Sequence, residues 1–132
     1  MRVVADSRAL IWYAHDSTQL SGPAVEALDG ALAAGGLVVS IVTLVELWYV
    51  TQTTAGISSP ELDELRRLLD TTPNVELHPV DRAVGDMFTT IDPAVLADPW
   101  DRFIVATAVT LDVPVVTRDA RIVSSGIVPT IW

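Results

Sequence analysis

The feature that most narrows what this chain can fold into is an alternation. Short β-branched runs (RVVAD, LVVS, NVELHPV, VPVVT) take turns with longer stretches carrying helical punctuation. Apolar runs this short, with no polar face, read as strands buried on both sides. Strands separated by helices join through right-handed crossovers, and that makes a parallel sheet. The helical stretches carry their own signals. Ser21 and Pro23 open SGPAVEALDGALAAGG, and Gly35-Gly36 stop it. SPELDELRRLLDTT is predicted as an amphipathic helix capped by Ser59, with Pro60 in its first position and Leu62, Leu65, Leu68 and Leu69 in one stripe. SRALIWYAHD, VTLVELWYVTQTT, DRAVGDMFTT behind its cap Asp81, and DPWDRFIVATAVTLD complete the helices; VPTIW reads as a short last strand. With 132 residues, half of them apolar, the chain can build one sizeable core. The expectation is a single α/β domain over residues 1–132, with helices on both faces of a parallel sheet of four to five strands.

Composition removes several chemistries. There is no cysteine, so disulfides, thiolate metal sites and cysteine nucleophiles are excluded. All eight basic residues are arginine, which removes the phosphate-binding lysine of a P-loop and Schiff-base catalysis. A net charge of −9 argues against nonspecific nucleic-acid binding through a basic surface, although not against an enzyme whose site is filled by a metal. The longest apolar stretches are interrupted by Ser40, Thr43 and Glu46, or by Asp112 and Pro114, so no membrane span is expected. MRVVADSRALIWYA reads as a first strand with no signal peptide, and a cytoplasmic location is expected.

Acids stand where the pattern would prefer something blander. Asp6 ends an apolar strand, Glu46 lies inside IVTLVELWYV, Asp101 sits in the first turn of a helix, and Asp119 follows a strand directly. Each has a structural explanation. Asp6 and Asp119 can cap the helices that follow them. Asp98-Pro99 has the cap-then-proline arrangement, with Asp101 completing a capping-box-like pattern and favouring the helix dipole. Glu46 resists this, because a carboxylate among Leu44, Val45, Leu47 and Trp48 needs a partner or a cation once buried.

Position argues more strongly than any single residue. In a parallel sheet the carboxyl ends of strands one and four and the starts of the following helices share one edge, where ligands bind. Asp6, Asp101 and Asp119 then converge there, with Glu46 carried inward from the helix after LVVS. Like charges 4 Å apart repel by about 4 kcal/mol per pair at an effective dielectric near 20. Protonation is one escape and a hard divalent cation the other; with no lysine and too few arginines nearby, the cation is the better answer. Oxygen ligands without histidine or cysteine select Mg²⁺ or Mn²⁺ over zinc. His15 and His78 each end an element and are read as structural. A carboxylate-held Mg²⁺ with open positions favours phosphodiester hydrolysis.

The order of these residues resembles that of PIN-domain nucleases: an Asp ending strand one, a Glu on the helix after strand two, then DPWDRFIVATA and VVTRD. The DPxDRxxxATA phrasing and the ending VPTIW resemble VapC toxins of type II toxin–antitoxin pairs, and the likeness runs from VVADSRALIWYA to Trp132. The resemblance implies a PIN-like three-layer α/β/α sandwich and a Mg²⁺- or Mn²⁺-dependent endoribonuclease that damages RNA needed for translation. It matches Asp6, Glu46, Asp101 and Asp119 to an acidic quartet, leaves Asp98 as helix cap, ligand or outer support, and makes Thr117 and Ser7 supporting side chains. It further implies a cognate antitoxin, seated in a groove that Trp12, Trp48 and Tyr49 could form, and a homodimer. Arg8, Arg102, Arg118 and Arg121 lie within three residues of these acids. Arg8, Arg102 and Arg118 are candidates to hold substrate phosphate, against an ordinary surface ion pair for Arg102. Specificity is expected from surface shape and from loops such as TQTTAGISSP. Two other readings stay open: a noncatalytic module whose acidic socket binds a partner, and a structure-specific DNA nuclease of the same fold.

Overall fold

The computed structural model describes residues 1–53 and 56–132. Along the chain run β1 (Val3–Ala5), α1 (Ser7–His15), a 3₁₀ turn (Ser17–Gln19), α2 (Gly22–Ala34), β2 (Leu37–Ser40), α3 (Ile41–Thr51) and α4 (Ser59–Thr71). There follow β3 (Val75–His78), α5 (Arg82–Thr90), α6 (Pro99–Leu111), β4 (Val115–Val116), α7 (Ala120–Ser125) and β5 (Thr130–Ile131). All five strands are parallel, in the order β3-β2-β1-β4-β5, as the alternation requires. From β1 the chain builds outward through β2 to β3, then returns to lay β4 on the other side of β1. The order therefore reverses between β1 and β4, and a crevice opens at the carboxyl ends of those two strands.

Side-chain alternation divides the core into two layers. Val3, Ala5, Leu37, Val39 and Val116 face α1, α2, α3 and α4, where Leu28, Leu47, Leu62, Leu65 and Leu69 meet them. Val4, Val38 and Val115 face the other way, onto Val84, Ile104, Val105, Ala108 and Ile122 of α5, α6 and α7. The result is a three-layer α/β/α sandwich. Leu65 sits in the middle of the α4 stripe and is 1 % exposed. Leu65→Ala is expected to cost about 2–5 kcal/mol, the range for a buried leucine whose cavity only partly collapses, read as a lowered denaturation midpoint at unchanged slope.

Two boundaries differ from the sequence reading. Ser58, rather than Ser59, caps α4: its hydroxyl accepts from the Glu61 amide at 3.3 Å while the Glu61 carboxylate accepts from the Ser58 amide at 3.3 Å. This reciprocal pair starts the helix one residue earlier and puts Pro60 at its second position. The helix expected to reach Thr54 ends at Thr51. Thr54 itself, with Ala55 of the TQTTAGISSP loop, lies outside the described residues. No helix among the described residues is long and apolar enough to cross a membrane.

Candidate active site

At the β1–β4 crevice, Asp6, Ser7, Arg8, Glu46, Asp98, Asp101, Asp119 and Arg121 line one cavity of about 200 Å³. All five acids singled out in the sequence are there. Each arrives by the local logic of its own element, and the capping roles turn out to be compatible with the cavity. Asp6 caps α1, accepting from the Ala9 amide at 2.8 Å through Oδ1, while Oδ2 accepts from the Thr117 hydroxyl. Asp98 caps α6 by accepting from the Trp100 amide at 2.8 Å, and Asp119 caps α7 by accepting from the Arg121 amide at 2.8 Å. In each case the cap fixes one end of the carboxylate and so aims the rest of it.

Asp101 is the exception. It does not close a capping box with Asp98, whose partner is the amide of Trp100. Instead it is turned inward, 8 % exposed, and its Oδ2 is buried with no hydrogen-bond partner. An unpaired buried carboxylate oxygen costs free energy wherever it has no structural function. Burial, with Asp98 and Asp119 adding repulsion, pushes the Asp101 carboxyl up to about 7. Burial likewise raises Asp6, against the lowering by hydrogen bonds from Thr117 and Ala9. Glu46 is raised by burial and by the charges of Asp98 and Asp6, although the Ser7 hydroxyl donates to it. Asp119 goes the other way: burial pushes it up, but hydrogen bonds from Arg121 and its charge, 3.3 Å away, bring it below the usual range. These carboxylates share one field, and it is short of positive charge.

Among the described residues no three acidic or imidazole groups stand as a ready chelate. The donor set nevertheless fits a hard cation: carboxylate and hydroxyl oxygens only, one of them orphaned and buried, with three carboxyls pushed upward by their surroundings.

Thr117 joins the two central strands at this edge. Its side chain is wholly buried, donates to Asp6, and accepts from the Asp119 amide at 3.0 Å. Thr117→Val removes both bonds at nearly constant volume and is expected to cost about 1–3 kcal/mol, the penalty for stranding buried polar partners. Thr117→Ser should recover most of it, as thermal unfolding of the three proteins will show.

The arginines divide. Arg8 and Arg121 line the acidic cavity. Arg102 does not, because its guanidinium lies over the Phe88 ring, 4.6 Å from the centroid, with Nε buried and unpaired. Arg118 lies over Trp12 at 4.4 Å, in an adjoining cavity. Arg121, rather than Arg102, lines the cavity; helix phase could not separate the two, since Phe88 sits on a different helix. Trp12 is not brought together with Trp48 and Tyr49. It packs against Trp132 at 5.8 Å, whereas Tyr49 lies between Trp48 and Trp100. The apolar groove among the early helices is formed by Leu10, Tyr13, Leu32, Leu65, Leu68 and Leu69.

Residues 3–125 match the PIN domain profile. The chain belongs to the PIN domain family. No protein of curated function matches its sequence. Solved structures share its fold at low identity. VapBC2 from Rickettsia felis, bound to a promoter DNA fragment, matches with a TM-score of 0.70 and 12% identity over 98% of this chain and 97% of that one. FitAcB from Neisseria gonorrhoeae matches at 0.67 and 20% identity, over 97% and 95%. VapBC-5 of Mycobacterium tuberculosis, a member of the VapBC family of toxin–antitoxin systems, matches at 0.60 and 19% identity, over 98% and 96%. At these identities what is shared is the PIN sandwich, over nearly the whole of each chain.

Proposed function

We propose that this PIN domain is a Mg²⁺- or Mn²⁺-dependent endoribonuclease that acts in the cytoplasm as the toxin of a type II toxin–antitoxin pair. One observation carries the reading. Five carboxylates from four separated segments line a single cavity at the β1–β4 crevice, and the buried oxygen of Asp101 there has no partner. Asp6, Asp101 and Asp119, with Glu46 and Asp98 around them, would hold the metal. Such an ion supplies Lewis-acid activation of water and neutralises charge that develops on a phosphodiester.

The chain's own residues do the rest. Thr117 and the α1 cap lock the orientation of Asp6, so this carboxylate costs little to organise when substrate arrives. Ser7 holds Glu46 toward the cavity. Asp101, its carboxyl pushed up to about 7 by burial and by the charges of Asp98 and Asp119, is the group that gains most from a cation there. Arg8 and Arg121 supply the cationic edge that an RNA phosphate needs on a chain of charge −9.

The surfaces suit the partners of such a toxin. The apolar groove among α1, α2 and α4 fits an apolar segment of an antitoxin. On α3, the apolar side chains of Ile41, Val45, Trp48 and Tyr49 are exposed, and a second copy of the chain covering them would form the homodimer. VapBC-5, which shares this fold, is a member of a family of toxin–antitoxin systems, and that supports the assignment.

The test is expression of the chain alone, beside the same chain carrying Asp101→Ala. Growth arrest with the first, relieved by the second at equal protein level, is the expected result, together with Mg²⁺-dependent cleavage of RNA and not of DNA by the purified protein. Harmless expression in several hosts contradicts the toxin assignment, and preferential DNA cleavage contradicts the RNA assignment.

A further inference from the structure

A second cavity, of about 250 Å³, opens beside the acidic one and shares Asp6, Arg8, Asp119 and Arg121 with it; its other wall is Trp12 and Arg118. The Arg118 guanidinium lies over the Trp12 ring at 4.4 Å and reaches the Trp132 ring at 5.8 Å, and the two indoles lie 5.8 Å apart. Arg118 is exposed and makes no hydrogen bond or ion pair among the described residues. Its neighbour Asp119, the obvious partner, is engaged by Arg121 instead. In a chain with seventeen acids and eight arginines, an arginine stacked on two aromatic rings with all its donors unused is unusual. The arrangement leaves a planar, weakly hydrated, cationic surface beside the acids.

We infer that Arg118, held flat by Trp12 and Trp132, is a stacking platform for a nucleobase of single-stranded RNA, one nucleotide removed from the phosphate at the acidic cavity. The inference rests on the nuclease reading for its register along the strand. Its physical basis is separate. A surface of net charge −9 repels the phosphate backbone, so grip on RNA has to come from a contact that the backbone charge does not oppose. Stacking on a guanidinium or indole plane is such a contact, and it tolerates any base because every base has a π-face. The shared lining of the two cavities makes the stacked base a neighbour of the phosphate under attack.

The experiment uses the whole chain with Ca²⁺ in place of Mg²⁺, and two probes: a single-stranded hexamer of riboadenylates and an abasic ribose-phosphate hexamer. Wild-type protein should bind the adenylate hexamer roughly tenfold to a hundredfold more tightly, as one or two stacked bases provide. Arg118→Ala should lose that preference and keep its affinity for the abasic hexamer. Arg118→Lys should lose it equally, since it keeps the charge and removes the plane. Near-UV circular dichroism verifies the fold of each variant. If Arg118→Ala weakens both probes to the same extent, Arg118 is a backbone clamp and the platform is overturned; unchanged binding of both overturns it as well. Cleavage with Mg²⁺ is scored on the same preparations. A wild-type protein that discriminates the hexamers without cutting RNA supports the platform and overturns the nuclease assignment. One that cuts RNA but binds both hexamers alike does the reverse.

Discussion

Asp101→Asn should lower the rate of RNA cleavage on the order of 10³-fold, about 4 kcal/mol of transition-state stabilisation, while leaving the metal-free protein more stable at pH 8. The two effects have one cause. Asp101 is 8 % exposed, its Oδ2 has no partner, and Asp98 and Asp119 add repulsion to burial. A neutral amide of the same shape escapes the repulsion, but without the negative charge it is a far weaker ligand for a cation. Raising the carboxyl from 3.8 to about 7 corresponds to a penalty of up to about 4 kcal/mol for the ionised form, reduced where water enters the open cavity. A gain of about 1–2 kcal/mol at pH 8 is therefore expected for the variant, and little at pH 4. Single-turnover cleavage and chemical denaturation of the same two proteins check both parts. A variant that loses activity and stability together would instead identify Asp101 as a structural residue.

The second large effect is the dependence of metal stabilisation on pH. Because Asp101, Asp6 and Glu46 are all raised, these three groups bind protons more tightly in the folded protein than in the unfolded chain. Stability from these groups is present at low pH and is lost as pH rises from about 4 through the folded value near 7. Among the cavity acids Asp119 is lowered and works in the opposite direction, one group against three; Asp16, Glu61, Glu64 and Glu76, outside the cavity, are lowered too and leave the metal-dependent part unchanged. Ions that bind the carboxylates compete with those protons, so Mg²⁺ should restore what rising pH removes. With Mg²⁺ at about a hundredfold excess over its dissociation constant, the gain at pH 8 is about 2.7 kcal/mol, or roughly 5–10 °C in Tm for a domain of this size. At pH 5 the shift should fall to a small fraction of that. Equal shifts at both pH values would show that the ion binds somewhere other than these acids.

Much of this was legible in the sequence because the alternation of short β-branched runs with capped helices admits few topologies. A parallel sheet with its crevice at the carboxyl ends of strands one and four follows from it, and with it the meeting of Asp6, Glu46, Asp98, Asp101 and Asp119 in one cavity. The capping explanation and the site explanation looked like rivals in one dimension. In three, Asp6, Asp98 and Asp119 cap their helices and line the cavity at once, because the N-cap bond uses one of a carboxylate's two oxygens. Asp101 alone does not cap, and that distinction depends on side-chain direction, to which residue spacing is blind. The same limit explains the arginines. Arg102 is taken by Phe88 and Arg118 by Trp12 and Trp132, contacts set by helices and strands far apart in the chain. Trp48 and Tyr49 were legible as a partner surface, but Ile41 and Val45 beside them were not, because a helix so largely apolar gives little periodicity from which to tell its outside.

The central claim is that these acids together hold a hard cation. Anomalous diffraction from crystals soaked in Mn²⁺ tests it most directly. One or two peaks between the carboxylates of Asp6 and Asp101, absent from Asp101→Asn crystals treated alike, are the predicted result. Crystals of a protein that cleaves RNA, with no peak at those carboxylates at saturating Mn²⁺, would contradict it.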